Sequence, residues 1–559
     1  MKEMIWKWMF YGLISMSLTA CGMGEMASDP HGLPHSSQNP PPQYNVSYDA
    51  VAGADAGSAA DSISAEPEEL GPDGKPISNA SKFEAPGTNP YVITAGDPQS
   101  TFAVDVDTAS YDIFRQYIEM NMLPHKDSVR LEEYVNYFPY DYPQPTHDSP
   151  TPFAIAVDAA PNPFTPETTL LSIGIKAREA GPDTKKPANL VFLVDVSGSM
   201  SNNNKLPLVK KVLTESLDVL EATDTVSIVA YSGHVAVKLG PTPVSEKKMI
   251  KEKINALSAS GSTAGGQALQ LAYTQAANGF IDGGINHILL CTDGDFNVGI
   301  SGTDALVSFI EEKRKTGITL TALGFGTNNL NDTMMEAVTN AGNGIYAVIA
   351  NEDQAIAYVN KRLLSTMTHV AKDVKFQIEF NPEQVYAYRL LGYENRALED
   401  HQFLDDKVDA GEVGTGHTVT ALYELVLAGG ELPTVEGAPE ALNNSELSDV
   451  VLDVKPDELC LVKIRYKHVE ATEDDAAFQV DRGLSVSMIH PTLGDASGDL
   501  QWAAAVAAFS EILKESPYGN IDYEATITEL IEANAGDDGE RLEFHSLMTT
   551  AFQMLKTTN

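Results

Sequence analysis

The spacing of hydrophobic residues changes twice along the chain. From Leu190 to Met367, nearly continuous apolar strands (Leu190–Val196, Thr225–Tyr231, His287–Thr292, Thr319–Phe325, Ile345–Ile349) alternate with amphipathic helices. The helical spacings cover Lys205–Leu220, Lys247–Leu257, residues 265–277, Asp304–Thr316, Asp332–Ala341 and Gln354–Met367. Strands apolar on both faces and separated by helices predict a mostly parallel sheet covered on both sides, a doubly wound α/β domain. Outside this section the strands alternate apolar and polar residues: Thr101–Val106, Phe153–Ala159 and Leu170–Ala177 before it, then Val374–Phe380, Val385–Leu391, Val419–Val426 and Glu458–Tyr466 after it. Alternation of that kind predicts antiparallel, half-buried strands in a sandwich-like arrangement. Further helices are expected at Tyr111–Met120, Val129–Tyr137, Leu500–Lys514, Tyr523–Ala535 and Glu540–Leu555. Because antiparallel strands lie on both sides of the α/β unit, that unit should be inserted into one discontinuous β-rich module with C-terminal helices. The expected divisions are an N-terminal flanking region at 88–187, the α/β domain at 188–368 and a C-terminal region at 369–559.

Residues 21–87 have no hydrophobic period. Pro40-Pro41-Pro42, an Ala/Gly/Asp/Ser stretch and Glu66-Pro67-Glu68-Glu69 suit a disordered acidic tether. Ahead of it, Lys2 and Lys7 precede an apolar run from Trp8 to Ala20. Such a run is too short to span about 30 Å of hydrocarbon, but it suits a signal peptide over residues 1–20. The sequence Leu18-Thr19-Ala20-Cys21-Gly22 resembles the lipobox of bacterial lipoproteins. That resemblance implies cleavage before Cys21, acylation of its thiol and a lipid-anchored place in the cell envelope. Gly22 after the cysteine resembles the outer-membrane sorting default.

Charge narrows the partners. The 559 residues contain 37 Lys plus Arg against 78 Asp plus Glu, a formal charge of −41. Such a chain is repelled by phosphate backbones and by anionic lipid heads, so nucleic acid is excluded and membrane contact is expected through the anchor only. Three cysteines cannot form a disulfide framework, and Cys291 and Cys460 lie in apolar strands as core thiols.

The chemistry gathers where the first apolar strand ends, at Asp195-Val196-Ser197-Gly198-Ser199. Open α/β sheets place ligands beyond the carboxyl ends of their strands. Asp195, Ser197 and Ser199 put three hard oxygens on one turn, and Gly198 lets the backbone turn without a Cβ. Thr263 precedes a helix in a Gly/Ser turn, and Asp293 ends the His287–Thr292 strand. Few carboxylates with several neutral oxygens suit Mg²⁺, which favours octahedral geometry and retains waters; Mn²⁺ and Ca²⁺ are the alternatives.

Asp195, Ser197, Ser199, Thr263 and Asp293 resemble, in order, the metal-ion-dependent adhesion site of von Willebrand factor A-type domains. Thr101–Tyr111, Arg130–Tyr142, Asp293–Gly299 and Leu391–Asn395 resemble bacterial lipoproteins that carry such a domain between dedicated N- and C-terminal regions. The resemblance implies a non-enzymatic protein that binds a protein partner, with a partner Asp or Glu completing the metal sphere. It also implies that the last domain helix, Gln354–Met367, is the element that shifts on ligation in some relatives. Two alternatives stay open: an assembly scaffold with a purely structural metal, and an envelope hydrolase with its site in the C-terminal region.

Other signals are weaker. Asp293–Gly299 looks like a calcium loop, but an EF-hand needs Gly sixth and Glu twelfth, where Val298 and Asp304 stand. Gly261–Gly266 lacks the lysine of a phosphate loop. No Gly-x-Ser-x-Gly elbow surrounds Ser197 or Ser199, and no HExxH motif occurs. His287 and His490 read as structural. The aromatics Tyr134, Tyr137, Phe138, Tyr140 and Tyr142 suit a core or domain seam better than a sugar-stacking surface.

Overall fold

Sixteen strands among the described residues sort into three sheets. The computed structural model describes residues 81–146, 148–179, 181, 185–261, 266–294, 303–326, 330–444, 450–472 and 474–558. The signal peptide, Cys21 and nearly all of the expected tether therefore lie outside the described residues, as does Thr263. At the end of the tether segment, Lys82 N donates to Leu330 O at 2.9 Å and Phe83 stacks on His125.

The N-terminal region supplies β1 (Val92–Ile93), β2 (Gln99–Ala103), α1 (Ala109–Glu119), α2 (Leu131–Val135), β3 (Phe153–Pro161) and β4 (Thr169–Ala177). The middle section supplies β5 (Ala188–Asp195), α3 (Leu206–Val219), β6 (Thr225–Tyr231), β7 (Val235–Pro243), α4 (Lys247–Asn255) and α5 (Gly266–Asn278). It continues with β8 (Ile285–Thr292), α6 (Thr303–Arg314), β9 (Thr319–Phe325), α7 (Asp332–Ala341), β10 (Tyr346–Ile349), α8 (Glu352–Tyr358) and α9 (Leu364–Met367). The remainder holds β11 (His369–Phe380), β12 (Val385–Leu391), β13 (Gly411–Gly414), β14 (Thr418–Leu427), β15 (Glu458–Lys467), β16 (Phe478–Ser485), α10 (Gly498–Leu513), α11 (Glu524–Asn534) and α12 (Gly539–Thr558).

The middle sheet runs β10-β9-β8-β5-β6-β7, parallel except for the antiparallel edge strand β7. Its apolar faces meet two buried clusters, one against α3 and α4 and one against α5, α6 and α7. The other two sheets are antiparallel and mix residues from both ends of the chain. One has the order β1-β12-β14-β4-β3; the other has β13-β11-β15-β16, with β2 also on β11. The α/β domain is thus inserted in a discontinuous β module whose two sheets share one core.

Four strands are additions to the sequence reading: the two-residue β1, and β7, β13 and β16. β7 contains Pro241 and Pro243, which an edge strand tolerates because one side of it makes no ladder. β13 is only four residues long, and β16 is largely exposed. The expected helix over Gln354–Met367 is also modified, because a π-turn at Val359–Leu363 separates α8 from α9. Arg362 in that turn stacks on the Tyr137 ring at 4.0 Å and donates to Tyr137 O at 3.1 Å, while Lys361 pairs with Glu540 at 3.0 Å. The extra residue per turn aims two cations at the flanking regions, a contact that compensates for the irregular backbone.

The aromatic run is core. Tyr134, Tyr137, Phe138, Tyr140 and Tyr142 are all buried, and Phe138 packs edge-on against Trp502 and Phe544 of the C-terminal helices. No described helix is long and apolar enough to cross a membrane.

A carboxylate-rich seam joins the inserted domain to its host. β10 is the edge of the parallel sheet, yet its outward amides are not bare. Asp107 accepts from Tyr346 N at 2.9 Å, Asp112 accepts from Val348 N at 3.3 Å, and Thr108 N donates to Tyr346 O at 3.2 Å. Nearby, Arg130 forks onto Asp332 of α7 (2.6 and 3.3 Å) and pairs with Glu133, whose other oxygen accepts from Ser110 N at 2.7 Å. Burial pushes the Glu132 carboxyl up to about 7, with Glu394 and Asp105 adding to the shift, and burial likewise lifts Asp112 to about 6.

These raised values fix the direction of a pH effect. The folded chain holds protons that the unfolded chain releases, so these groups favour folding below about pH 4.5 and lose that contribution as pH rises through about 7. The buried histidines, whose values are lowered, act in the opposite sense below about pH 6.5, so a comparison of variants isolates Glu132. Between pH 5.5 and 8 calorimetry should show the melting temperature of Glu132→Gln falling less, or rising more, than that of the starting protein. An unchanged slope in that variant would remove Glu132 from the account.

Candidate metal site

Strand order decides where a ligand can sit. The chain leaves β5 to build β6 on one side and later returns to build β8 on the other, so a crevice opens beyond the carboxyl ends of β5 and β8. Asp195 is the last residue of β5 and Asp293 follows the last residue of β8; both side chains are fully buried.

The turn after β5 is tightly held. Ser197 N donates to Asp195 Oδ1 at 2.7 Å, and the Ser197 and Ser199 hydroxyls lie 2.9 Å apart. Gly198 N donates to Gly261 O at 2.9 Å, and a Cβ on Gly198 would approach that same oxygen to 3.2 Å. Gly261 itself has φ +83°, in the left-handed region that glycine adopts without strain. This clasp draws the end of the 258–261 segment onto the Asp195 turn, just ahead of Thr263, which lies outside the described residues. On the other side Thr292 Oγ1 is 3.5 Å from Asp195 Oδ2 and accepts from Gly294 N at 3.2 Å.

The structure thus brings together four of the five residues singled out from the sequence: Asp195, Ser197, Ser199 and Asp293. Burial pushes the Asp195 carboxyl up to about 6, against the pull of its hydrogen bonds from Ser197. Asp293 has one oxygen, Oδ1, buried without a hydrogen-bond partner among the described residues. An unpaired buried carboxylate oxygen carries a full desolvation cost, so a cation or its waters at this point would compensate it. The donor set of carboxylate and hydroxyl oxygens suits a hard divalent ion. The described residues of the site therefore fit a hard divalent cation.

One site residue was not foreseen. Lys205 Nζ donates to Asp293 Oδ2 at 2.9 Å, and the lysine is only 4% exposed. The sequence held a signal: a cation directly before the first turn of α3 opposes the helix dipole, so it needs a local carboxylate.

A second cavity, about 190 Å³, lies at the seam and is lined by residues including Asp107, His369, Arg396, Glu412 and His417. Burial pushes the Glu412 carboxyl well up and lowers both histidines to about 4. His417 Nε2 sits 2.9 Å from Ser365 Oγ, but that hydroxyl also lies 2.8 Å from Arg362 O as a donor, and His417 Nδ1 has no partner among the described residues. Among the described residues the ring lacks the orienting carboxylate of a nucleophile–base–acid arrangement. His287 is a buried neutral strand residue, lowered to about 3, and His490 pairs with Asp158 at 2.9 Å. Cys291 and Cys460 are buried free thiols, and burial pushes Cys460 up to about 12.

Comparison with known proteins agrees with this architecture. Residues 189–362 match the family described as von Willebrand factor type A domain, and residues 77–172 match the one described as von Willebrand factor. Residues 365–554 match the family described as "Uncharacterized protein YfbK, C-terminal". The YfbK protein of Escherichia coli is 39% identical over 472 residues, covering 83% of this chain and 80% of its own. Human inter-alpha-trypsin inhibitor heavy chain H2 is 27% identical over 201 residues, 34% of this chain and 21% of its own. Among solved structures, a von Willebrand factor type A protein from Catenulispora acidiphila covers 71% of this chain and 91% of its own, at 14% identity and a TM-score of 0.41. Proximal thread matrix protein 1 of the mussel byssus, with zinc occupying its MIDAS motif, covers 32% of this chain and 47% of its own, at 18% identity and a TM-score of 0.27.

Proposed function

This chain belongs to the family of the bacterial YfbK protein, which is built around a von Willebrand factor A domain, and on that premise we propose that it binds a protein partner through a divalent metal. Asp195, Ser197, Ser199, Thr263 and Asp293 would hold the ion, Mg²⁺ or else Mn²⁺ or Ca²⁺. When bound, the ion supplies an electrophilic point at which an Asp or Glu of the partner can be held. The observation that carries this reading is the buried Asp293 Oδ1, without a partner among the described residues, beside Asp195 and the paired hydroxyls of Ser197 and Ser199.

Each residue has a definite task. Ser197 N and Thr292 Oγ1 orient the Asp195 carboxylate. The Gly198–Gly261 hydrogen bond sets the turn that presents the two hydroxyls. A net charge of −41 is compatible with an acidic ligand at this point, because a local cation reverses the sign of the field there. The hydrolase alternative finds no support in the seam cavity, where no acid among the described residues orients the His417 ring.

We further propose that the protein is anchored in the bacterial cell envelope, at the outer membrane, by a lipid on Cys21. Cys21→Ser should move it from the membrane to the soluble fraction; retention in the membrane after that change would remove the anchor. The functional test is crosslinking in intact cells with Mg²⁺ present. The partner band should vanish on EDTA treatment and in the Asp195→Ala/Ser197→Ala double variant. A band of equal strength in all three conditions would leave the metal no role in binding.

A further inference from the structure

We infer that Lys205 tunes the metal site toward acidic ligands, weakening its hold on the cation while strengthening the loaded site's hold on an incoming carboxylate. This rests on the metal-site reading above and adds a property that the five oxygen donors do not supply.

Lys205 is placed by structure, not by solvent. The ammonium is buried at the positive end of α3, a costly position unless it is paired. Its partner is Asp293 Oδ2 at 2.9 Å, with side-chain exposures of 5% and 0%. The aliphatic stem lies against Gly326, which follows β9 with φ +83°. A Cβ at Gly326 would come within 2.6 Å of Lys205 Cε and 3.3 Å of its Cγ. A glycine in the left-handed region therefore leaves the channel through which the lysine reaches the aspartate.

Asp293 consequently divides its two oxygens. Oδ2 binds the ammonium, and Oδ1 is the buried oxygen without a partner among the described residues. The consequence follows from counting charges. Asp195 and Asp293 alone carry −2, and a divalent ion brings them to zero. With Lys205 the empty site carries −1 and the loaded site +1. Low-dielectric surroundings let one fixed charge act over several ångströms, so the ammonium repels the cation and attracts an anion. A lysine that only stapled Asp293 to the helix would alter neither balance once its hydrogen bond was preserved.

The experiment uses the full chain. Mn²⁺ affinity is read from the electron paramagnetic resonance of the free ion. Anion affinity is read from broadening of the acetate methyl resonance by the Mn²⁺-loaded protein, with neutral acetamide as control. Lys205→Gln keeps a donor for Asp293 but removes the charge. It should tighten Mn²⁺ about tenfold and weaken acetate about tenfold, leaving acetamide unchanged. Lys205→Arg should keep both constants within about twofold of the starting protein. Should Lys205→Gln fail to fold, Gly326→Ala, which crowds the stem and moves the ammonium away, should shift both constants in the same opposed directions.

Wild-type protein that binds no Mn²⁺ overturns the metal-site reading and this inference with it. Mn²⁺ binding in which Lys205→Gln moves both constants the same way, or neither, overturns the inference alone. So does a Lys205→Arg variant that behaves like Lys205→Gln.

Discussion

Replacing Arg130 by methionine should cost about 3–5 kcal/mol of folding stability, one of the two largest effects expected from a single substitution here. Arg130 is 3% exposed and serves three carboxylates at once: Glu133, Asp332 and, at 3.7 Å, Glu336. Methionine fills much of the space but leaves Asp332 and Glu133 buried without their cation. The cost comes from those stranded charges, not from the attraction that is lost, because an intact buried pair gains little over an apolar replacement. Two measurements separate these terms. Chemical denaturation of Arg130→Met should show the full loss, and adding Asp332→Leu with Glu133→Gln should recover a substantial part of it. A loss under about 1 kcal/mol for the single variant would mean that the seam tolerates unpaired carboxylates and that the network is not its fastening.

Asp195→Ala should lower divalent-metal affinity about a hundredfold or more, with little change in the melting temperature of the metal-free protein. The two halves have one cause. Asp195 is fully buried at the end of a central strand, and burial lifts its carboxyl to about 6, so the metal-free fold gains nothing from its charge. Its hydrogen bond from Ser197 N is lost, but so is a desolvated carboxylate, and these changes offset each other. With a cation present the balance reverses, because a carboxylate is removed from a site that has only two. Calorimetric Mn²⁺ titration gives the first number and a thermal melt in EDTA the second. An affinity change under about threefold would place the ion elsewhere.

Much of this architecture is legible in the order of residues, for reasons that differ by element. β6 and β9 are bounded as their apolar runs are, because a central parallel strand is buried on both faces and cannot hide its ends. β7 escapes notice because Lys238, Gly240 and two prolines interrupt its alternation, which only an edge position allows. The break between α8 and α9 leaves no trace in the helical spacing, since its cause is tertiary: Arg362 on the Tyr137 ring, more than two hundred residues away. At the site, Asp195, Ser197, Ser199 and Asp293 could be placed together because strand ends in an α/β sheet converge. Lys205 is less legible: its place before α3 calls for a carboxylate, but a lysine beside a helix normally belongs to solvent, and the glycine channel at Gly326 that brings it inside is tertiary.

The guarded edge of β10 has a bearing on how the molecule can be taken apart. Tyr346 and Val348 present their amides to Asp107 and Asp112, which belong to the host module and not to the inserted domain. An A domain excised at 188 and 368 would keep its fold-defining core and its metal-site residues, yet it would emerge with a naked strand ready to recruit a copy of itself. Self-association of that fragment would then be an artefact of surgery, and its apparent adhesiveness no guide to the intact protein. In this light the host works as a chaperone built into the same polypeptide, keeping a sticky border covered for as long as the chain remains whole.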